Sequence, residues 1–164
     1  MVRFAGFLPC ALDADGQCWL LLGREGDGWG AFGGGPEPGE RAYETAVREA
    51  WEESGGVLWP ALLSVATRRG PVIHSHGCCI YLISRPWECQ EQINSVLSAQ
   101  LGRHTEPQFQ EKLESKWFRL RDLQRMRLPL RGPKHLFYNQ LRSSSRTITQ
   151  RAAELCQSWR CPRN

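Results

Sequence analysis

The stretch Gly34–Gly56, GGPEPGERAYETAVREAWEESGG, constrains this chain more than any other. Gly34–Glu40 is a Gly/Pro-rich turn that ends in a carboxylate. Arg41–Glu53 contains no Gly or Pro and is rich in good helix formers, which predicts a helix. Ser54-Gly55-Gly56 predicts its end, because glycine tolerates the left-handed geometry of a C-cap. On a wheel of about 100° per residue, Tyr43, Ala46, Val47 and Ala50 share the stripe of a buried face. Glu49, Glu52 and Glu53 gather on the adjacent arc. Like charges at that spacing cost an isolated helix about 0.2–0.5 kcal/mol per pair. A hard divalent cation would offset that cost, since Mg²⁺ or Mn²⁺ takes oxygen ligands. Glu40, in the loop before the helix, is placed to complete such a set. Taken alone, three glutamates on a helix read more readily as a solvated acidic face.

The wider pattern decides between these readings. It runs Gly34, five residues, Glu40, seven residues, Arg48-Glu49-Ala50, one residue, Glu52-Glu53, one residue, Gly55. This resembles the signature of the Nudix hydrolases, a loop–helix–loop that binds divalent metal against a diphosphate. Every fixed position matches. Only the final apolar position departs, being Gly56, with Val57 one place later. A pattern of this length is far more specific than a short glycine motif.

The resemblance implies an α/β/α sandwich with a mixed β-sheet, the metal helix on one face and a C-terminal helix on the other. It implies Mg²⁺ or Mn²⁺ held by Glu49, Glu52 and Glu53, with Gly34 and Glu40 in support. Arg48 and Gly55 take structural places in the box, Arg48 by pairing with a box carboxylate. The implied activity is hydrolysis of the pyrophosphate bond of a nucleoside diphosphate linked to another group. Catalysis falls to Glu52, Glu53 and Glu49, and to Glu114, which stands three residues before the aromatic Trp117 as a similar glutamate does in some members. Phe4, Phe7 and Trp29 lie on strands that border the nucleoside pocket in the family, and Arg24 and His76 join them as candidate substrate contacts. Each aromatic ring taken alone reads more readily as core filling.

Composition bounds the rest. The chain has 164 residues, 41% hydrophobic and 23% charged, which fits one soluble globular domain with a sizeable core. No apolar run is long enough to span a bilayer. The first residues, MVRFAGFLPCALDADG, make a poor signal peptide and a better strand. Seven cysteines with no CxxC spacing point to reduced thiols, in the cytoplasm or the nucleus. His74, His76 and Cys78 alternate, so on one strand they would share a face that zinc could use, although no fourth ligand is evident.

Net charge is +4, unevenly spread. From Arg119 onward eleven basic residues face two acidic ones. That asymmetry fits a polyanion such as RNA, or a solubilising helical surface. A capped or otherwise modified RNA 5′ end is therefore an alternative substrate. A binding module that has kept the fold without catalysis is a second alternative, weakened by the presence of every box glutamate. A homodimer is open.

Along the chain, Arg3–Leu12 and Gln17–Arg24 read as a hairpin, and Trp29–Phe32 as a short apolar run. Val57–Ala66 reads as an irregular link in which Pro60 breaks any helix. Gly70–Ser84 reads as a central strand, and Cys89–Leu101 as an amphipathic helix or an insertion between strands. Gly102–Gln110 reads as a polar loop. Lys112–Leu120 reads as a strand, Arg121–Met126 as a short helix and Leu128–Pro133 as a break. Lys134–Arg142 and Thr147–Arg160 read as two helices. The expectation is a single Nudix domain over residues 1–164, with a basic helical extension at about 143–164.

Overall fold

The computed structural model describes residues 1–26, 28–60, 63, 68–101, 112–125 and 133–157, the side chains at 101 and 133–136 excepted. Four strands come first: β1 (Phe4–Leu12), β2 (Cys18–Glu25), β3 (Gly28–Gly30) and β4 (Phe32–Gly34). Helix α1 (Ala42–Glu53) follows, then β5 (Ile73–Ser75), β6 (Cys78–Ser84) and α2 (Cys89–Leu101). The chain continues through β7 (Glu114–Arg119), α3 (Leu120–Arg125), α4 (Pro133–Ser143) and α5 (Ser145–Gln157).

Among the described residues the strands form one mixed sheet of seven, with the main order β3-β2-β1-β6-β5. β1 lies at its centre and is buried along most of its length, as its apolar sequence FAGFLPCAL requires. It runs parallel to β6 from Phe4↔Cys78 to Cys10↔Ser84. Its other edge is shared: Ala5–Phe7 pair with β4, and Cys10–Leu12 pair with β2. β7 pairs with β2 on the latter's far side. The shared edge delivers β4, and with it Gly34, to the start of the loop that precedes α1.

Side chains alternate across a strand, so one sheet carries two cores. Leu8, Leu20, Leu22, Ile80 and Leu82 meet α3, α4 and α5 on one face. Phe7, Leu21, Cys79 and Tyr81 meet α1 and α2 on the other. The layers are therefore α/β/α, with the glutamate helix and the C-terminal helices on opposite faces. α5 buries Ile148, Ala152 and Leu155 against the sheet, so its apolar stripe belongs to the same core.

Three local expectations are corrected. Trp29–Phe32 is two strands: Trp29 sits in β3, opposite Arg24, and Phe32 sits in β4, opposite Phe7. Gly70–Ser84 is a hairpin, because the chain reverses at His76 and Gly77, which adopt φ 51° and 78°. Val72 N–H and the β5–β6 register close it, with Ile73↔Ile80 as a cross-strand pair. His76 therefore stands in a turn and shares no strand face with His74 and Cys78, which removes the zinc reading. Pro60 starts a helical turn rather than breaking one. Pro60 and Leu63 are both helical, and Leu63 N–H donates to Trp59 O at 3.2 Å. Proline is tolerated there because the first helical N–H has no partner within the helix. The polar loop expected at 102–110 and the break expected at 128–133 lie largely outside the described residues. Among the described residues no helix is long and apolar enough to cross a membrane.

The burial of α5 makes a testable claim. Ile148→Ala should cost about 2–5 kcal/mol, the range for removing a fully buried aliphatic side chain. Urea unfolding of the full chain checks this; a loss below about 0.5 kcal/mol would mark α5 as an appendage.

Candidate active site

The box folds as local chemistry dictates. Arg41 N–H donates to Glu44 Oε2 at 2.9 Å and caps the start of α1. At its end, Gly56 N–H donates to Trp51 O at 2.8 Å, and Gly55 takes φ 61°. The glycine is needed twice there, because a Cβ on Gly55 would also lie 2.3 Å from Val96 of α2. Ala46 and Ala50 are fully buried against the sheet, which turns the glutamate arc toward the loop and β4.

Arg48 is the hub of that arc. Its Nε donates to Glu40 Oε1 at 2.8 Å and its Nη2 to Glu40 Oε2 at 3.0 Å, a two-point clamp. Its Nη1 donates to Glu49 Oε1 at 3.0 Å and to Glu52 Oε2 at 3.2 Å. Nη2 also donates to the Gly35 carbonyl at 3.1 Å, which ties the loop to the helix. The Arg48 hydrogen bond, with smaller help from Glu37 N–H and Thr45, holds the Glu40 carboxyl down at about 2. The same bond pushes the Arg48 guanidinium further above its already high range. Gly34 makes room on the other side: a Cβ there would lie 2.5 Å from the Glu49 carboxyl.

Glu53 occupies a different environment. It is only 2% exposed, where Glu49 and Glu52 keep side-chain exposures of 14% and 16%. Burial pushes its carboxyl well above the carboxylate range, while the Lys112 charge and the Gly33 hydrogen bond pull it down. Gly33 N–H donates to Glu53 Oε2 at 2.6 Å. Glu53 Oε1 is buried without a hydrogen bond, and its nearest cation is Lys112 Nζ at 3.4 Å.

Lys112 is the residue that sequence reasoning missed. It is 1% exposed and pairs with Glu25 as well as with Glu53. Its stem fills the notch that Gly23 leaves, since a Cβ on Gly23 would lie 2.7 Å from Lys112 Cδ. In the sequence, a lysine opening KLESKWF reads as an ordinary strand-end charge. Only the packing against Gly23, on a neighbouring strand, reveals it.

The remaining candidates do not join this cluster. Glu114 opens β7 and accepts from Arg24 Nε at 2.9 Å, and both side chains are well exposed. Trp29 is also opposite Arg24, and its ring packs edge-on to Phe118 at 5.0 Å. Arg24, Glu114 and Trp29 thus assemble on the sheet face that carries Leu20 and Leu22. Phe4 and Phe7 point to opposite faces, as odd and even positions of one strand must. Phe4 is half-buried against the α4–α5 core. Phe7 is fully buried beside Tyr81, ring centroids 5.5 Å apart, so its ring fills the core and is not open to a base. His76 stands in the β5–β6 turn, where Gly77 O accepts from Arg3 and Phe4 N–H, and not among the box carboxylates.

A hard cation suits the donors present. All are carboxylate oxygens, one of them buried and lacking a hydrogen bond, beside a glycine that lets Glu49 approach the loop. Among the described residues no three acidic side chains yet converge as a ready ligand set, and the Arg48 guanidinium is bonded to three of them.

Comparison with known proteins adds the following. The family model described as NUDIX domain matches residues 3–141. Among solved structures, a C. elegans Ap4A hydrolase in a binary complex aligns at TM-score 0.52 and 18% identity, covering 92% of this chain and 99% of that one. A Nudix hydrolase from M. Smegmatis, RenU, aligns at TM-score 0.49 and 19% identity, covering 90% and 88%. At such identities the first likeness concerns the fold alone. Comparison with the curated proteins finds no match.

Two expected outcomes follow from the charge geometry. Lys112→Met leaves the buried Glu53 without its counter-charge and should cost about 3–5 kcal/mol in urea unfolding. Arg24→Ala, at an exposed pair, should cost about 1 kcal/mol or less; equal losses would contradict the burial of Lys112. Separately, Glu40 titrates below its ordinary value of 4.5, so the stability it contributes is present above that pH and is lost as pH falls toward 2. In Arg48→Ala the Glu40 carboxyl, followed by NMR, should titrate nearer 4.5. An unmoved titration would show that Arg48 is not what holds it.

Proposed function

The chain belongs to the Nudix family, and on that premise we propose that it hydrolyses the pyrophosphate bond of a nucleoside diphosphate linked to another group. The observation that carries the proposal is the glutamate arc of α1. Glu40, Glu49 and Glu52 surround Arg48, and the buried Glu53 faces Lys112 with an oxygen that accepts no hydrogen bond. A single Nudix domain, with α5 as its last described helix, is the domain reading.

The chemistry starts from repulsion. A P–O–P linkage carries several negative charges and turns away an attacking water's lone pair. Glu49, Glu52 and Glu53, with Glu40 and the backbone at Gly34 in support, would hold Mg²⁺ or Mn²⁺. When bound, such a cation neutralises phosphate charge, acidifies water and favours departure of the leaving phosphate. The chain's own side chains do the rest. Arg48 fixes Glu40 and ties the Gly35 loop to α1, which sets the spacing of the carboxylates. Gly33 N–H and Lys112 fix Glu53 from two sides. Glu52, more open than Glu53, takes the proton from the attacking water as general base. Water then bonds to one phosphorus as the bridging P–O bond breaks, and the displaced phosphate leaves with the bond's electrons.

A free nucleotide derivative is the preferred substrate class. Several arginines of the basic C-terminal part are engaged within the protein. Arg119 covers Trp19 at 4.8 Å, Arg121 lies near Asp122, and Arg151 Nη1 donates to Arg69 O while Nε faces Glu154. An RNA 5′ end therefore ranks second.

Purified protein with Mg²⁺ or Mn²⁺, offered nucleoside triphosphates, nucleotide sugars, dinucleoside polyphosphates and capped RNA, should release a phosphate-bearing product from at least one. Glu52→Gln should lower turnover by about 10²–10⁴-fold with an unchanged circular dichroism spectrum. Wild-type turnover in that variant would overturn the role of Glu52. A panel with no cleavage, in which one ligand still raises Tm, would favour a binding module.

A further inference from the structure

Six cysteines lie among the described residues, and five of them are buried. Cys156, in the last turn of α5, is the one that is half-exposed. Its sulfur lies 3.3 Å from Ser84 Oγ at the end of β6. Ser84 is the parallel-strand partner of Cys10, and partners in register point their side chains to the same face. That face is the one α5 covers: Cys10 and Cys18 belong to the core that holds Ile148, Ala152 and Leu155. Two independent constraints, the β1–β6 register and the Ser84 contact, thus bring residues 10 and 156 together across the sheet–helix boundary. None of these residues takes part in the glutamate site, which lies on the opposite face of the sheet.

The surroundings of Cys156 favour a nucleophile. Hydrogen bonds from Cys10, then from Ser84 and the Leu12 backbone, outweigh burial and bring its thiol down to about 6. Cys10 behaves as the donor of the pair. Its own thiol is fully buried and pushed well above the usual range by the same bond and by burial, so it keeps its proton. A half-exposed thiolate beside a protonated, buried thiol is the arrangement of an attacking and a resolving cysteine.

We infer that Cys156 is an oxidation site for hydroperoxides, resolved by Cys10 into a disulfide that fastens α5 to β1. The chemistry balances in two steps. The Cys156 sulfur attacks the terminal oxygen of the hydroperoxide; the O–O bond breaks, and the alcohol or water leaves with a proton. Cys156 is then a sulfenic acid. The Cys10 sulfur attacks the Cys156 sulfur; the S–O bond breaks, and water leaves with the Cys10 proton. Two thiols are oxidised, and one hydroperoxide is reduced to an alcohol and water. The new bond closes a loop over nearly the whole chain, which restricts the unfolded state strongly.

The test uses the full-length reduced protein, treated with about one equivalent of hydrogen peroxide and then alkylated. The expected wild-type result is a non-reduced peptide map that joins the Cys10 and Cys156 peptides and a Tm raised by about 5 °C or more. Both changes should reverse with dithiothreitol. Cys156→Ser should lose the bridge and react several-fold more slowly. Cys10→Ser should stop at a sulfenic acid on Cys156 that a dimedone probe traps. A bridge from Cys156 to Cys18 would overturn the role of Cys10. Slow oxidation of Cys156, no faster than that of the buried thiols, would overturn the proposal whether or not the variants fold, because it is read on the wild-type chain.

Discussion

The clustering of carboxylates around Arg48 is the interaction on which the site depends. Glu49, Glu52 and Glu53 lie within about a turn and a half of helix and would repel one another and Glu40, and the loop Gly35–Glu40 belongs to no strand or helix that would resist. A single guanidinium answers both problems. It clamps Glu40, bonds Glu49 and Glu52, and reaches the Gly35 carbonyl. A lysine at this position could not do so, since it lacks the planar fork that serves several acceptors at once. The loop and the acidic arc are therefore tied together, and their charge is offset, by a residue that belongs to the same helix.

The fold contributes the second half of that organisation. β1 divides one edge between β4 and β2, so the glycines at 33 and 34 arrive at the sheet directly beside α1. From there Gly33 N–H reaches Glu53, and Gly34 lies against Glu49. β2 and the approach to β7 supply Glu25 and Lys112 from the other side. Burying a Lys–Glu pair is costly unless both partners stay paired. The cost is met by placing Lys112 between two carboxylates and seating its stem under Gly23. Stability and site geometry are thereby coupled through one buried lysine.

The box was legible in the sequence because it is local, and the α/β/α class came with the family that the box resembles. Helix formers, a Gly-Gly stop and a glutamate arc at helical spacing all lie within the Gly34–Gly56 stretch. The two C-terminal helices were legible as separate local segments on either side of Ser143-Ser144-Ser145. What was not legible depends on contacts between distant segments. Nothing near Lys112 announces that Gly23 leaves it a notch. Nothing near His76 shows that the chain reverses there, since GPVIHSHGCCIYLIS carries β-forming residues on both sides of the turn. Phe4 and Phe7 lie on one candidate pocket strand in the sequence, although an odd spacing on that strand separates them onto different faces. Pro60 reads as a breaker, because the sequence alone does not distinguish the first turn of a helix from its interior.

The measurement that bears most directly on the central claim is Mn²⁺ binding to the purified chain, followed by the loss of the free-ion electron paramagnetic resonance signal. The carboxylate arc around Arg48 should bind Mn²⁺ saturably, and Glu49→Gln and Glu52→Gln should each weaken that binding at least about tenfold without unfolding the protein. A wild-type chain that leaves the Mn²⁺ signal unchanged at millimolar protein, or variants that bind as tightly as wild type, would contradict the assignment of this arc as the metal-holding site.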